Sequence, residues 1–234
     1  MTQLRSVVLV IGLVSGSGCG LISSDVTNFD LTLPDKDFTV DASTWQVSDS
    51  EAQTFLSLSC GSSPKLCASA VQQACPMNCS GECNAATQTC DLSLDVSLYQ
   101  TVDLLVERPE LNSINDQPVI KVTIDSVAWE VASNTLTVAT PVMTVYVAPR
   151  SVMDPGDPQA KAIGTIASVA AGTTTGPQSL VFTATGKADL VAMMSTFKTP
   201  FNVIVGSTLV LHQGQSVPRG RLDAVVHIKG HAGL

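Results

Sequence analysis

The chain has 234 residues, of which 44% are apolar, 14% charged and 4% aromatic, with a formal net charge of −8 and seven cysteines. A charged fraction well under the roughly 25% of an ordinary soluble domain, with a mean hydropathy of +0.29, excludes a disordered acidic tail. An acidic chain with few aromatics has no electrostatic footprint for nucleic acid, and the length suits one domain of about 200 residues, alone or with a small module.

Residues 1–18 read as an export signal: Arg5 is the only charge, an apolar run from Val7 to Val14 follows, and Ser15-Gly16-Ser17-Gly18 supplies small residues. That run is too short to cross a hydrocarbon core, which takes about 20 residues, so a cleaved signal is expected and not a membrane span. Cys19 comes next. On these residues the segment resembles the signals of bacterial lipoproteins, in which small residues precede a cysteine that is lipidated on sulfur, cleaved on its N-terminal side and then N-acylated. Ser17 and Gly18 match the last two positions before the cysteine, while Gly16 stands where the family usually has Leu.

The resemblance implies lipidation of Cys19, with acyl chains such as palmitate holding the protein to a membrane of the cell envelope. It leaves 216 of the 234 residues and, with Arg5 gone, takes the charge from −8 to −9. In that family an Asp after the cysteine commonly marks inner-membrane retention; Gly20 in that place points to the outer membrane. The alternative is ordinary signal cleavage near Gly18, a spare thiol at Cys19, and a secreted or periplasmic protein. Cysteine parity weighs against it, because the other six cysteines lie between positions 60 and 90 and can pair among themselves, leaving Cys19 as the odd one.

Residues 19–27 then serve as anchor and tether, and residues 28–47 carry short strands. Phe29, Leu31 and Leu33 alternate with polar residues, Phe38 with Val40 and Trp45 with Val47 suggest two more, and Asp35-Lys36-Asp37 reads as a turn between them. From 48 to 91 lies a cysteine-rich insertion with Cys60, Cys67, Cys75, Cys79, Cys83 and Cys90. Six cysteines so close together in an exported chain read as three disulfides, with fifteen pairings open. A zinc site would want paired C-x2-C knuckles. Ser48 and Glu51 have the capping-box spacing and start a short helix bearing Phe55 and Leu58. Ser63-Pro64 starts a second, with Leu66, Cys67, Ala70, Val71 and Ala74 at helical spacing until Pro76. Residues 76–90 read as stapled loop. So small a segment needs cross-links to hold it, and packs as a cap on the larger domain.

From 92 to 234 the period is two, the signature of antiparallel strands with one buried and one wet face. Leu92, Leu94, Val96, Leu98, Val102 and Leu104 share one parity; Ile120, Val122 and Ile124 repeat the alternation; Val127, Trp129 and Val131 continue it with Glu130 outside. Ser133-Asn134 reads as a hairpin turn into Leu136 and Val138. Further strands fall at 143–147, 163–169, 180–183 and 201–211, and the last alternates through Leu222, Ala224, Val226 and Ile228. Leu190, Met193, Met194 and Phe197 mark one helix near 186–198, stopped by Pro200. The fold class is mainly β: an antiparallel β-sandwich with one short helix and a disulfide-rich, partly helical insertion. The order of strand, Pro-rich turn, Ile163-Gly-Thr-Ile166, Gly-rich turn, Leu180-Val-Phe182, short helix, Val203-Ile-Val-Gly206 and closing strand resembles late-embryogenesis-abundant type β-sandwiches. The overall layout is similar to lipoproteins of predatory soil bacteria such as myxobacteria. Neither resemblance implies a catalytic residue.

Chemistry is sparse. The three histidines, His212, His227 and His231, fall in the last 23 residues, and no Gly-x-Ser-x-Gly elbow holds a serine. His227 and His231 would bind zinc from a helix, but on a strand four residues separate them by about 13 Å; they read as solvent-facing. Glu107 with Glu110 and Asp154 with Asp157 read as solvated loop carboxylates, without the stacking aromatics of a glycosidase or enough ligands for calcium. Gly164, Gly172, Gly176, Gly206 and Gly214 are scattered and do not form a phosphate loop; Met193-Met194 reads as core. No cofactor is expected. The expectation is a non-catalytic, lipid-anchored binding or structural module whose partner is another envelope protein or an extracellular ligand. The alternatives are a carbohydrate- or lipid-binding accessory and, further off, a hydrolase.

Overall fold

A computed structural model describes residues 29–114, 116 and 119–233. Two antiparallel sheets face each other. The first holds β1 (Phe29–Asp30), β2 (Lys36–Asp41), β5 (Lys121–Asn134), β8 (Thr175–Ser179) and β11 (Arg221–Gly233), in the order β1-β11-β5-β8 with β2 also on β11. The second holds β3 (Cys79–Cys83), β4 (Cys90–Val102), β6 (Met143–Pro149), β7 (Lys161–Ile166), β9 (Val181–Phe182) and β10 (Phe201–Leu211), in the order β3-β4-β10-β6-β7-β9. Inward-facing residues build one core: Trp129, Val131 and Val226 of the first sheet surround the same small gap as Met143, Ile166 and Val205 of the second.

The parity switch in β5 has a physical cause. Ile124 pairs with Gly230 and Ser126 with Lys229, so Asp125 is an extra residue in a β-bulge. A bulge turns the following side chains to the other face, which lets Ile124 and Val127 both be buried. A second irregularity next to Asp223 does the same at Ala132. The hairpin expected at Ser133-Asn134 does not form. The buried Asn134 instead donates to the carbonyls of Ala170 and Thr173 and accepts from Leu136 N–H. The chain runs on beside residues 219–221.

Among the described residues four short α-helices complete the fold: α1 (Asp49–Leu56), α2 (Leu66–Ala74), α3 (Leu104–Glu107) and α4 (Gly186–Ser195). α4 buries Leu190 and Met194 against β5, β6 and β7, as its apolar spacing predicts. α2 begins at Leu66, two residues past Pro64, and Ser48 makes no side-chain cap bond to α1. Trp45 lies in a 3-10 turn, Ala42–Trp45, not a strand, because Asp41 accepts from Ser43 N–H and caps it. Lys36 and Asp37 open β2 instead of forming a turn.

The long strands define two ends. At one, Phe29 pairs with Ala232, and Ala232 with Val122. At the other, Arg221 pairs with Asp41 and Leu222 with Asn134. Trp45 Nε1 donates to Asp95 O and Gln100 Nε2 to Asp37 O, so the Cys90 end of β4 lies with the Arg221 end of β11. Strands of this length run about 40 Å. The segment entering at Phe29 and the cysteine-rich cap therefore sit at opposite ends.

Candidate functional site

The cap is built on β4. Cys60 bonds Cys83, Cys67 bonds Cys90, and Cys75 bonds Cys79. Residues 76–90, expected as loop, carry β3, which pairs along β4 from Cys79 opposite Leu94 to Cys83 opposite Cys90. The reason is the sheet edge itself: β4 offers unpaired backbone groups there, and backbone pairing satisfies them where polar sequence gives no hydrophobic signal. Gly81 is required at that place, because a Cβ would meet Phe55 Cζ and Cys67 O at 2.6 Å. Phe55, Val71, Ala74 and the cysteines join the main core, and Gln53 Nε2 donates to Gln215 O at 2.6 Å. The cap is thus an end wall of the sandwich.

Beside it a cleft of about 890 Å³ opens between the β4 edge, the β2 end with its 3-10 turn, and the loop at residues 153–156. Gly206 makes it possible, since a Cβ there would meet Pro155 at 2.8 Å and push the loop off the sheet. Asp41, Asp95 and Asp154 border the cleft together with Tyr146 and hydroxyls such as Thr144 and Thr208, and no Lys, Arg or His lines it among the described residues. The Ser43 hydroxyl and N–H donate to Asp41 and hold its carboxyl below the usual carboxylate range. Thr208 donates to Asp95 at 2.8 Å. Val142 and Met153 stand exposed at the rim. Sequence reading did not single out this cleft, because its residues are far apart in the chain and sit on wet faces of separate strands.

The titratable residues weighed from sequence are separated. His212 lies 2.8 Å from Asp91, His227 2.6 Å from Asp35, and His231 3.1 Å from Asp125. His227 is less exposed than expected, its side chain 23% accessible. Among the described residues, none of the three has a Ser, Thr or Cys side chain as a hydrogen-bond partner. Glu107 and Glu110 are not loop carboxylates: Asp103 caps α3, and Glu107 forms a largely buried ion pair with Lys36 at 2.6 Å. Glu110 pairs with Arg108, which also reaches Asp30 and donates to Thr32 O. Asp154 and Asp157 each accept from a backbone N–H two residues on, closing their own loop. Cys19 lies outside the described residues. Among the described residues no helix is long and apolar enough to cross a membrane.

No protein-family model matches the chain. No curated protein sequence matches it either. Among solved structures, the cryo-EM structure of a semi-empty virus-like particle of the giant freshwater prawn Macrobrachium rosenbergii nodavirus aligns with 100% of this chain and 93% of its own. The identity is 9% and the TM-score 0.28, too loose a likeness to carry an argument.

Proposed function

We propose that the protein is an exported lipoprotein held to the outer membrane through acyl chains on Cys19, and that its sandwich is a non-catalytic binding or structural module for another envelope protein or an extracellular ligand. The observation that carries this reading is the placement of the two ends. Phe29, ten residues after Cys19, enters the sheet beside Ala232, whereas the disulfide cap lies at the Arg221 end. An anchor at Cys19 therefore turns the cap outward, about 40 Å along the strands from the point of entry, with the cleft lying between the middle of the strands and the cap.

Cysteine arithmetic supports the anchor. Six cysteines are used by three bridges, and the seventh, Cys19, needs another explanation in an exported protein. Several acyl chains on one residue give stable membrane attachment where a single chain would be marginal. The test is Cys19→Ser in cells fractionated into envelope and soluble parts. The wild-type protein is expected in the envelope and the variant in the soluble fraction; a variant that stays in the envelope contradicts the anchor.

A second reading, a carbohydrate-binding accessory, is favoured by the cleft, where Tyr146, hydroxyls and carboxylates meet without a cation. Trp45 borders the cleft, so a saturable change in tryptophan fluorescence with a glycan supports it, and a flat response across a broad panel removes it.

A further inference from the structure

Cys83 and Cys90 face each other across the β3–β4 hairpin. Just beyond them Asn84 N donates to Thr89 O at 2.9 Å, which makes Cys83 and Cys90 a non-hydrogen-bonded pair. Cα atoms in such pairs approach to about 4.5 Å, inside the roughly 4.4–6.8 Å that a disulfide spans. Yet each cysteine is bonded away from the other, Cys83 to Cys60 and Cys90 to Cys67. The sulfurs of Cys60, Cys67 and Cys90 lie within 4.8 Å of one another. These three residues are fully buried, while Cys83 is only partly so. Four sulfurs are thus gathered so that two pairings are within reach, and one residue of the four meets solvent.

We propose that Cys83 is a modification site for small thiols, and that a thiol entering there exchanges the found pairing for Cys60–Cys67 with Cys83–Cys90. The thiolate attacks Sγ of Cys83, forms a mixed disulfide and breaks the bond to Cys60, which leaves as a thiolate. Cys60 attacks Sγ of Cys67, forms Cys60–Cys67 and expels Cys90 as a thiolate. Cys90 attacks Cys83 across the hairpin, forms Cys83–Cys90 and releases the small thiol unchanged. Nothing is oxidised or reduced overall, and the thiol acts as catalyst. The found pairing ties the chain before and within α2 to the hairpin by two bridges. After exchange both bridges are local, and the first turn of α2 is held to the hairpin by packing, while Cys75–Cys79 still joins its last turn to β3. The Cys75–Cys79 bridge takes no part. This inference rests on the disulfide pairing and is independent of the anchor at Cys19.

The experiment incubates the oxidised protein with reduced glutathione at mildly alkaline pH, blocks free thiols with N-ethylmaleimide and maps peptides without reduction. The expected result is glutathione on Cys83 in the intermediate, joined peptides Cys60–Cys67 and Cys83–Cys90 in the exchanged product, and Cys75–Cys79 unchanged in both. Glutathione on another cysteine of the four, or loss of Cys60–Cys83 with Cys67–Cys90 intact and no exchanged peptides, overturns the proposal. A second arm uses Cys83→Ser, which leaves Cys60 unbridged beside Cys67–Cys90. Without added thiol, the free thiol is expected to move from Cys60 to Cys90 as Cys60–Cys67 forms; a thiol found on Cys60 alone overturns the internal step.

Discussion

At the cap end of the sandwich, three disulfides tie α2 and the chain just before it to β3 and β4; at the entry end, the Lys36–Glu107 pair and the Arg108 contacts to Asp30, Glu110 and Thr32 O fasten the first two strands to α3 and the turn after it. Between them the long strands need neither device, because alternate residues of β5, β10 and β11 are buried in one continuous core. The difference follows from how much apolar surface each region has. The cap contributes few large side chains, chiefly Phe55, Leu56 and Val71. A segment with so little to bury offsets its ordering entropy by restricting the unfolded chain instead.

This contrast can be broken in the middle first. Phe201→Ala removes a fully buried ring from β10 and is expected to cost about 4 kcal/mol, read as a lower midpoint in denaturant with the disulfides intact. In the cap, the Cys67→Ser/Cys90→Ser double variant opens a bridge of sequence separation 23, with an expected loss of about 3.5 kcal/mol from chain entropy. Hydrogen exchange sharpens this: amides of α1, α2 and β3 should lose protection while those of β5 and β11 keep theirs. If both regions lose protection together, the division between covalent and buried support is wrong.

At the entry end, Lys36→Met strands the Glu107 carboxylate and is expected to cost about 3 kcal/mol, much of which Lys36→Met/Glu107→Leu should restore; thermal melts of the two variants decide. Opening Cys75–Cys79, with a separation of only 4, is expected to cost about 2 kcal/mol, less than the Cys67–Cys90 bridge in the same assay. The smallest effect is at acid pH. The Thr32 N–H on Asp30, the Ser43 hydroxyl on Asp41 and the Thr39 hydroxyl on Asp223 each hold a carboxyl below its usual range. Such groups stabilise the fold above their unfolded pKa of about 3.9 and lose that contribution as pH falls through the lower folded value. Melting temperature should therefore be flat near neutrality and fall only below about pH 4, with a shallower fall in Asp223→Asn.

Much of the fold was legible because burial leaves a period. β10 occupies the expected span, whereas the bulge at Asp125 interrupts what reads as one alternation from Ile120 to Val131. β3 and β8 were not legible: Cys79–Cys83 and Thr175–Ser179 are polar edge strands, placed by backbone pairing and not by hydrophobic alternation. Pairing of the cysteines was equally hidden, since it depends on where α2 and the chain before it lie against β3 and β4. The cleft was hidden for a related reason: Asp41, Asp95, Tyr146 and Thr208 belong to four different strands and share only an address in space.

The proposed anchor at Cys19 would turn the cap away from the membrane. Its most direct test is the intact mass of the mature protein from a detergent-extracted envelope fraction. A chain that begins at Cys19, carries acyl mass and retains three disulfides is the predicted result. A chain without acyl mass, or one beginning at another residue, would contradict it.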